Sequence, residues 1–147
     1  MAAEPAPAYA VRVVDWVRGA AKLRAVRIAV FVIEQNIPEE LEWDEFDAVS
    51  AHALAEDAAG TPIGCGRLLP DGHIGRMAVL SEWRGCGVGA AMLTRLVDLA
   101  RARGDARVLL NAQTQATPFY ARFGFSPTGD EFLEADIPHR VMERSLR

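Results

Sequence analysis

Apolar and polar residues alternate over Tyr9–Val14, the two-residue period of a short strand. Asp15 then stands in N-cap position before Trp16, Ala20, Leu23, Val26, Val30 and Ile33, which recur at helical spacing, with Arg18 and Lys22 on the wet side. This helix must stop before Pro38, because proline lacks an amide hydrogen and disfavours helix in the residue before it. Residues 39–47 are acidic and studded with aromatics, show no period, and fit a loop or a short helix equally. Strands are predicted over 50–56, 62–69 and 73–80, the last two joined by Pro70-Asp71-Gly72, where proline presets φ and glycine accepts a positive φ. Val88, Met92, Leu96 and Leu99 mark an amphipathic helix closing near Gly104. The compact apolar run 106–112 reads as a central strand covered on both faces. A short helix over 115–123, ended by Gly124, and strands near 125–132 and 140–146 complete the chain.

Strand, helix, three strands, helix, strand, helix, two strands is the order of a single α/β domain with a mixed sheet, spanning 1–147. With 147 residues the chain can bury a core without staples, and residues 1–7 read as a disordered tail. The formal net charge of −4 argues against nucleic-acid binding, for which a basic excess is the usual footprint. The start lacks a basic segment followed by an apolar run, and the strongest apolar stretch, 28–33, falls far short of the roughly 20 residues of a membrane span. Cys65 and Cys86 lack the spacing of a disulfide scaffold or a zinc site. A cytoplasmic protein with free thiols and no metal is the expectation.

One segment carries chemistry beyond packing. Arg84-Gly85-Cys86-Gly87-Val88-Gly89 lies between a strand and the start of a helix. A helix N-terminus presents unsatisfied N–H groups and a partial positive charge, so it attracts anions. Glycines there remove the β-carbons that would keep a diphosphate from the backbone, and Arg84 adds a full charge at the rim. The alternatives are a plain tight turn and a dinucleotide-binding loop. Gly85 to Ala90 does match G-x-G-x-x-G/A, but Ser81 to Arg84 separate it from the strand, and the next strand ends in Asn111 rather than an acid.

Arg84-x-x-Gly87-x-Gly89 also resembles the coenzyme A diphosphate loop of the GNAT superfamily of N-acetyltransferases. The preceding Ile74-Gly-Arg-Met-Ala-Val79 resembles that family's fourth strand, and Asn111 followed by Phe119-Tyr120-Ala-Arg-Phe-Gly124-Phe125 its second signature. Val30-Phe-Val-Ile-Glu-Gln35, Pro38, Glu42-x-Asp44-x-x-Asp47, His52, Ala112-Gln113 and Ile137-x-His139-x-x-Met142 are similar to the ElaA/YjcF-like branch. The resemblance implies a mixed, mostly antiparallel sheet of about seven strands with splayed central strands, flanked by about four helices. It implies transfer of an acetyl group from acetyl-CoA to a primary amine by direct attack in a ternary complex. The acceptor would be a small molecule or a peptide. A homodimer stays open, and the rival reading is a non-catalytic acyl-CoA-binding or regulatory domain.

By the same resemblance, Met77, Ala78, Val79, Arg84, Gly85, Cys86, Gly87, Val88, Gly89, Ala90, Asn111, Phe119 and Tyr120 would form the cofactor site. Backbone N–H near Val79 would hydrogen-bond the thioester oxygen, and Tyr120 would give a proton to the departing sulfur. An alkylammonium acceptor has a pKa of about 10 and must lose a proton before it can attack. Glu34, Glu42, Asp44, Asp47 and His52 are candidates for taking it, with Glu34 and Asp44 put first. Arg67 is a candidate partner of the acidic segment, and His139 a candidate substrate contact. The acids of 39–47 suggest a cationic acceptor.

Overall fold

The computed structural model describes residues 8–147; the expected disordered tail at 1–7 lies outside the described residues. The chain runs β1 (Tyr9–Val14), α1 (Trp16–Arg27), β2 (Ala51–Asp57), β3 (Pro62–Leu68), β4 (His73–Val79), α2 (Val88–Ala102), β5 (Arg107–Gln113), α3 (Thr117–Ala121), β6 (Ser126–Pro127), β7 (Phe132–Glu134) and β8 (Ile137–Ser145). The sheet has eight strands in the order β1-β2-β3-β4-β5-β8-β6, with β7 also pairing β8. Only β4 and β5 run parallel; every other pair is antiparallel.

Strand alternation sends successive side chains of β2 and β3 to opposite faces, and each face meets a helix. On one face Leu54, Cys65 and Ala78 join Leu23, Val26 and Val30 of the first helix. On the other, Ala53, Ile63, Ile74 and Val108 pack against Val88, Met92, Leu96 and Val97 of α2. The Asp15 side chain caps α1 by accepting from the Arg18 N–H at 2.8 Å.

Three departures from the sequence reading shape the site. The first helix does not stay α-helical to Ile33: after Arg27 it continues as a π-helix, Ile28–Glu34. The wider turn rotates the stripe, so Val30 and Phe31 are buried while Ile33 is 70% exposed. Second, β5 is not covered on both faces. Val108, Leu110 and Ala112 point into the core, whereas Arg107 and Asn111 are exposed. Third, the region after β5 is more broken than expected. A 3₁₀ turn, Thr114–Ala116, precedes the short α3, the strand predicted over 125–132 splits into β6 and β7, and β8 begins at Ile137.

The β4–β5 junction positions everything that follows. The two strands pair only at His73–Leu109 and Ile74–Leu110, although β4 continues to Val79 and β5 to Gln113. The cause lies on the β3 side. Cys65 opposes Ala78 but Arg67 opposes Gly75, so Arg76 and Met77 face a single residue across a bulge. Arg76 takes φ 52°, an uncommon conformation for a residue with a β-carbon. A bulge bends its strand. Here β4 leaves β5 directly beyond Ile74, and a wedge opens between them.

Candidate active site

The wedge leads into a cleft of about 640 Å³ whose lining includes Phe31, Glu42, Asp44, Arg76, Met77, Asn111, Tyr120 and His139. On β4, the Leu80 N–H turns toward β3 and donates to Ile63 O at 2.9 Å. Amides alternate in direction along a strand, so the Val79 amide faces the opposite edge, where β5 has departed. On β5, Asn111 is the first residue past the last paired position and projects into the cleft. Gln113 donates to Gln35 Oε1 at 2.9 Å, tying β5 to the end of the π segment.

The glycine-rich turn lies beyond the open end of β4. Gly85 and Gly87 have φ of 79° and 85°, values that a β-carbon would strain, and α2 begins at Val88. No side chain caps this helix, so its first N–H groups stay available. A β-carbon at Gly89 would lie 3.6 Å from the Phe119 ring and 3.7 Å from Val79, so the helix start, α3 and the end of β4 converge there. Val88 and Ala78 bury their side chains in the two cores, which leaves only their backbones for a ligand. Cys86 and Ala90 are half-buried beside them.

Arg84 is held by two partners. Its Nε donates to Val79 O at 3.0 Å, and its terminal nitrogens form a bidentate pair with Glu34 at 2.7 and 2.8 Å. The hydrogen bond from Arg84 holds the Glu34 carboxyl below its ordinary range. Glu34, put forward as a proton acceptor, is therefore engaged as a counter-ion of the loop.

Tyr120 packs edge-on against Phe119 at 5.1 Å and Phe125 at 6.0 Å between ring centroids. Burial pushes its hydroxyl up to about 12, so it stays protonated at neutral pH and can act as a donor.

The acidic segment is organised by arginines. Arg27 forms a buried bidentate pair with Asp47 at 2.9 and 3.1 Å and donates to Glu42 O at 3.0 Å. Arg67 does reach the segment, donating to Asp44 at 2.7 Å and Asp47 at 3.1 Å. Arg76 donates to the other Asp44 oxygen at 3.3 Å and to Leu41 O at 3.2 Å. Burial alone would raise the Asp47 carboxyl, but hydrogen bonds from Arg27 and Arg67 bring it below its ordinary value. Asp44, the second proton acceptor put forward, thus has both oxygens engaged by guanidinium groups. His52 is buried away from the cleft and donates Nε2–H to Asp47 O at 2.9 Å. Desolvation lowers its pKa, with Arg27 and Arg67 adding to the effect while contacts with Asp47 oppose it.

Arg27 and Arg76 were not singled out by the sequence reading. Arg27 had a signal: it sits four residues after Leu23 and three before Val30, on the apolar stripe, where a charge requires a buried partner. Arg76 had none, since it looks like any polar residue of an alternating strand.

A sheet opened between two parallel strands, with a glycine-rich helix start at the open end, is the architecture of acyltransferases of the GNAT fold. A profile of the acetyltransferase (GNAT) domain matches residues 20–146, and the chain belongs to that family. It is 42% identical over 121 residues to the uncharacterized N-acetyltransferase YjcF of Bacillus subtilis, covering 80% of this chain and 86% of the relative. The crystal structure of an acyl-CoA N-acyltransferase from Pseudomonas aeruginosa superposes with a TM-score of 0.82 at 30% identity, covering 94% of this chain and 100% of that one. Escherichia coli ElaA superposes with a TM-score of 0.82 at 29% identity, covering 92% and 99%. Membership indicates acyl transfer. Among the described residues no group of three or more His, Cys, Asp or Glu side chains could hold a metal ion. Among them, too, no helix is long and apolar enough to cross a membrane.

Proposed function

We propose that this protein is an N-acetyltransferase that moves the acetyl group of acetyl-CoA to a primary amine by direct attack within a ternary complex. The observation that carries this reading is the wedge: β4 keeps an unpaired edge from Gly75 to Val79, and the α2 start with its two left-handed glycines lies at its end. The pantetheine arm would pair with that edge as a strand does, and the diphosphate would meet the N–H groups of 85–89 beside the Arg84 side chain. The residues present fit such a ligand, because positive-φ glycines and an uncapped helix start leave donors that no protein group uses.

In this reading the Val79 N–H donates to the thioester oxygen as negative charge develops there. Tyr120 gives its proton to the departing sulfur. Asn111, level with Gly75 in the β4–β5 register, lines the cleft together with Tyr120. Arg84 stands at the phosphate end, held by Glu34 until an anion competes for it. Cys65 is buried and its thiol is pushed up to about 11, so it takes no nucleophilic part. The acceptor, a small molecule or peptide amine, would enter through the side walled by Leu41, Glu42 and Phe46. Free Cys65 and Cys86 accord with work in the cytoplasm.

The test is thiol release from acetyl-CoA in the presence of 2-phenylethylamine, spermidine, glucosamine, an Nα-blocked lysine peptide and an aminoglycoside, with calorimetry of CoA in parallel. Amine-dependent thiol release with formation of the amide is expected. CoA binding without turnover on any amine would favour a binding domain, and no CoA binding would refute the reading altogether.

A further inference from the structure

We propose that Glu42 is the catalytic residue that takes the proton from the acceptor's ammonium group, a role that rests on the acetyl-transfer reading above. Each other candidate is otherwise engaged. Glu34 is paired with Arg84, Asp44 accepts from Arg67, Arg76 and the Phe46 N–H, and Asp47 accepts from Arg27, Arg67 and the Asp44 N–H. His52 does not line the cleft.

Glu42 differs from all of these. It lines the cleft, is only 4% exposed, and no donor among the described residues hydrogen-bonds its carboxyl. The nearest cation, Arg76 Nε, is 3.6 Å from Oε2. Its main chain, by contrast, is pinned: Glu42 O accepts from Arg27 Nη1 at 3.0 Å and from Arg76 Nε at 3.4 Å. The backbone is fixed while the carboxyl keeps its lone pairs for an incoming donor, which is what a general base needs.

The groups facing Glu42 are Arg27 from α1, Arg67 from β3, Arg76 from β4, and Asp44 and Asp47 of its own segment. The Cys65 thiol lies beneath, and His73, Tyr120, Glu134 and His139 line the same cleft. Burial raises the Glu42 carboxyl above its ordinary value, the three arginines oppose this, and Asp47 adds to it. A carboxyl moved upward is a better match to an ammonium than an ordinary one.

The proton balance closes. The ammonium passes one proton to the Glu42 carboxylate, directly or through one water, and becomes a free amine. Its lone pair attacks the thioester carbon; the C–N bond forms and the C–S bond breaks. The thiolate takes the Tyr120 proton, and the resulting phenolate recovers the surplus proton from nitrogen. Glu42 then releases its proton to solvent. Ammonium and thioester become amide, thiol and one proton.

Glu42→Gln keeps the volume and removes the base. With acetyl-CoA and whichever amine of the panel the wild type acetylates fastest, the expected result is a kcat lowered about 10²-fold, with CoA affinity and Tm unchanged. The wild-type kcat/KM should fall on the acid side with an apparent pKa above that of ordinary carboxylates, and the variant should lose that limb. A buried structural carboxyl would change Tm without changing the shape of the profile. If E42Q loses CoA affinity, Glu42→Ala assayed with added formate decides: recovery supports the role and no recovery overturns it. An unchanged acid limb in E42Q overturns it too, and loss of that limb in His139→Gln would move the role to His139. A wild type that acetylates no amine overturns this proposal together with the reading beneath it, whereas active wild type with active E42Q overturns this proposal alone.

Discussion

Arg27→Met tests whether the buried ion pairs hold up the acceptor wall of the cleft. Arg27 is 1% exposed and pairs through both terminal nitrogens with Asp47, whose side chain is 2% exposed. Its guanidinium also lies 5.1 Å from the Trp16 ring centroid and 5.8 Å from that of Trp43. Methionine keeps most of the aliphatic stem, so the loss is chiefly electrostatic. Removing one partner of a buried pair costs about 3–5 kcal/mol, because the other charge is left uncompensated. Arg67 still reaches Asp47 at 3.1 Å, which argues for the lower end, while the lost cation–π contacts argue for more. About 3–4 kcal/mol is expected, a large share of the roughly 5–15 kcal/mol available to a domain. In a chain of this size that lowers Tm by about 10 °C. Adding Asp47→Asn removes the orphaned charge and should recover part of the loss. The assay is urea unfolding of wild type, both single variants and the double variant at pH 7.5. A loss under about 1 kcal/mol for R27M, or a double variant worse than the sum of the singles, would refute the reasoning.

Gly87→Glu places bulk and a negative charge on a left-handed residue at the helix start, so CoA affinity by calorimetry should fall at least tenfold; unchanged affinity would remove the phosphate role of the loop. Tyr120→Phe keeps the ring packed on Phe119 and Phe125 and should lower kcat about 10²-fold with CoA affinity intact, while an unchanged kcat with chemistry rate-limiting would make Tyr120 a packing residue. His52 has a folded pKa below its ordinary value of about 6.5, so its stabilising contribution is complete above that value and is lost as pH falls through it. Thermal melts should therefore show a Tm decline between pH 7 and pH 5 that is shallower in His52→Gln; equal slopes would contradict this. Glu42, shifted upward, acts in the opposite direction and cancels in the comparison between variant and wild type.

Local signals carried most of the fold. Strand alternation, the Asp15 cap, the Pro70-Asp71-Gly72 turn and the Val88 to Leu99 stripe each correspond to an observed element within a residue or two at most ends. The glycine turn likewise falls where the sequence places it, directly before α2. Where the reading failed, the cause was not local. The π segment begins directly after Arg27, whose buried partner Asp47 lies twenty residues away. The edge of β5 beyond Leu110 is open because β4 leaves it after Ile74, where the register with β3 shifts around Arg76. Neither period nor propensity reports on such long-range constraints.

The acidic segment shows the same limit, with a consequence for the acceptor. Read along the chain, Glu39, Glu40, Glu42, Asp44, Glu45 and Asp47 suggest a trap for cations. In the fold, Glu42, Asp44 and Asp47 face Arg27, Arg67 and Arg76, three charges against three. Glu39, Glu40 and Glu45 are exposed and do not line the cleft. What the segment does offer the cleft is Leu41 and Phe46, 51% and 45% exposed, beside the buried Glu42 carboxyl, which no donor among the described residues hydrogen-bonds. If Glu42 takes the acceptor's proton as proposed, such a wall would discriminate by apolar contact and by that proton transfer rather than by long-range attraction. KM for a good acceptor should then respond weakly to salt, because a charge-neutral cluster leaves little field to screen. Raising NaCl from 50 to 500 mM with the fastest amine measures this directly. A KM that climbs more than about tenfold would restore the cation trap and place the working charge on the exposed glutamates instead.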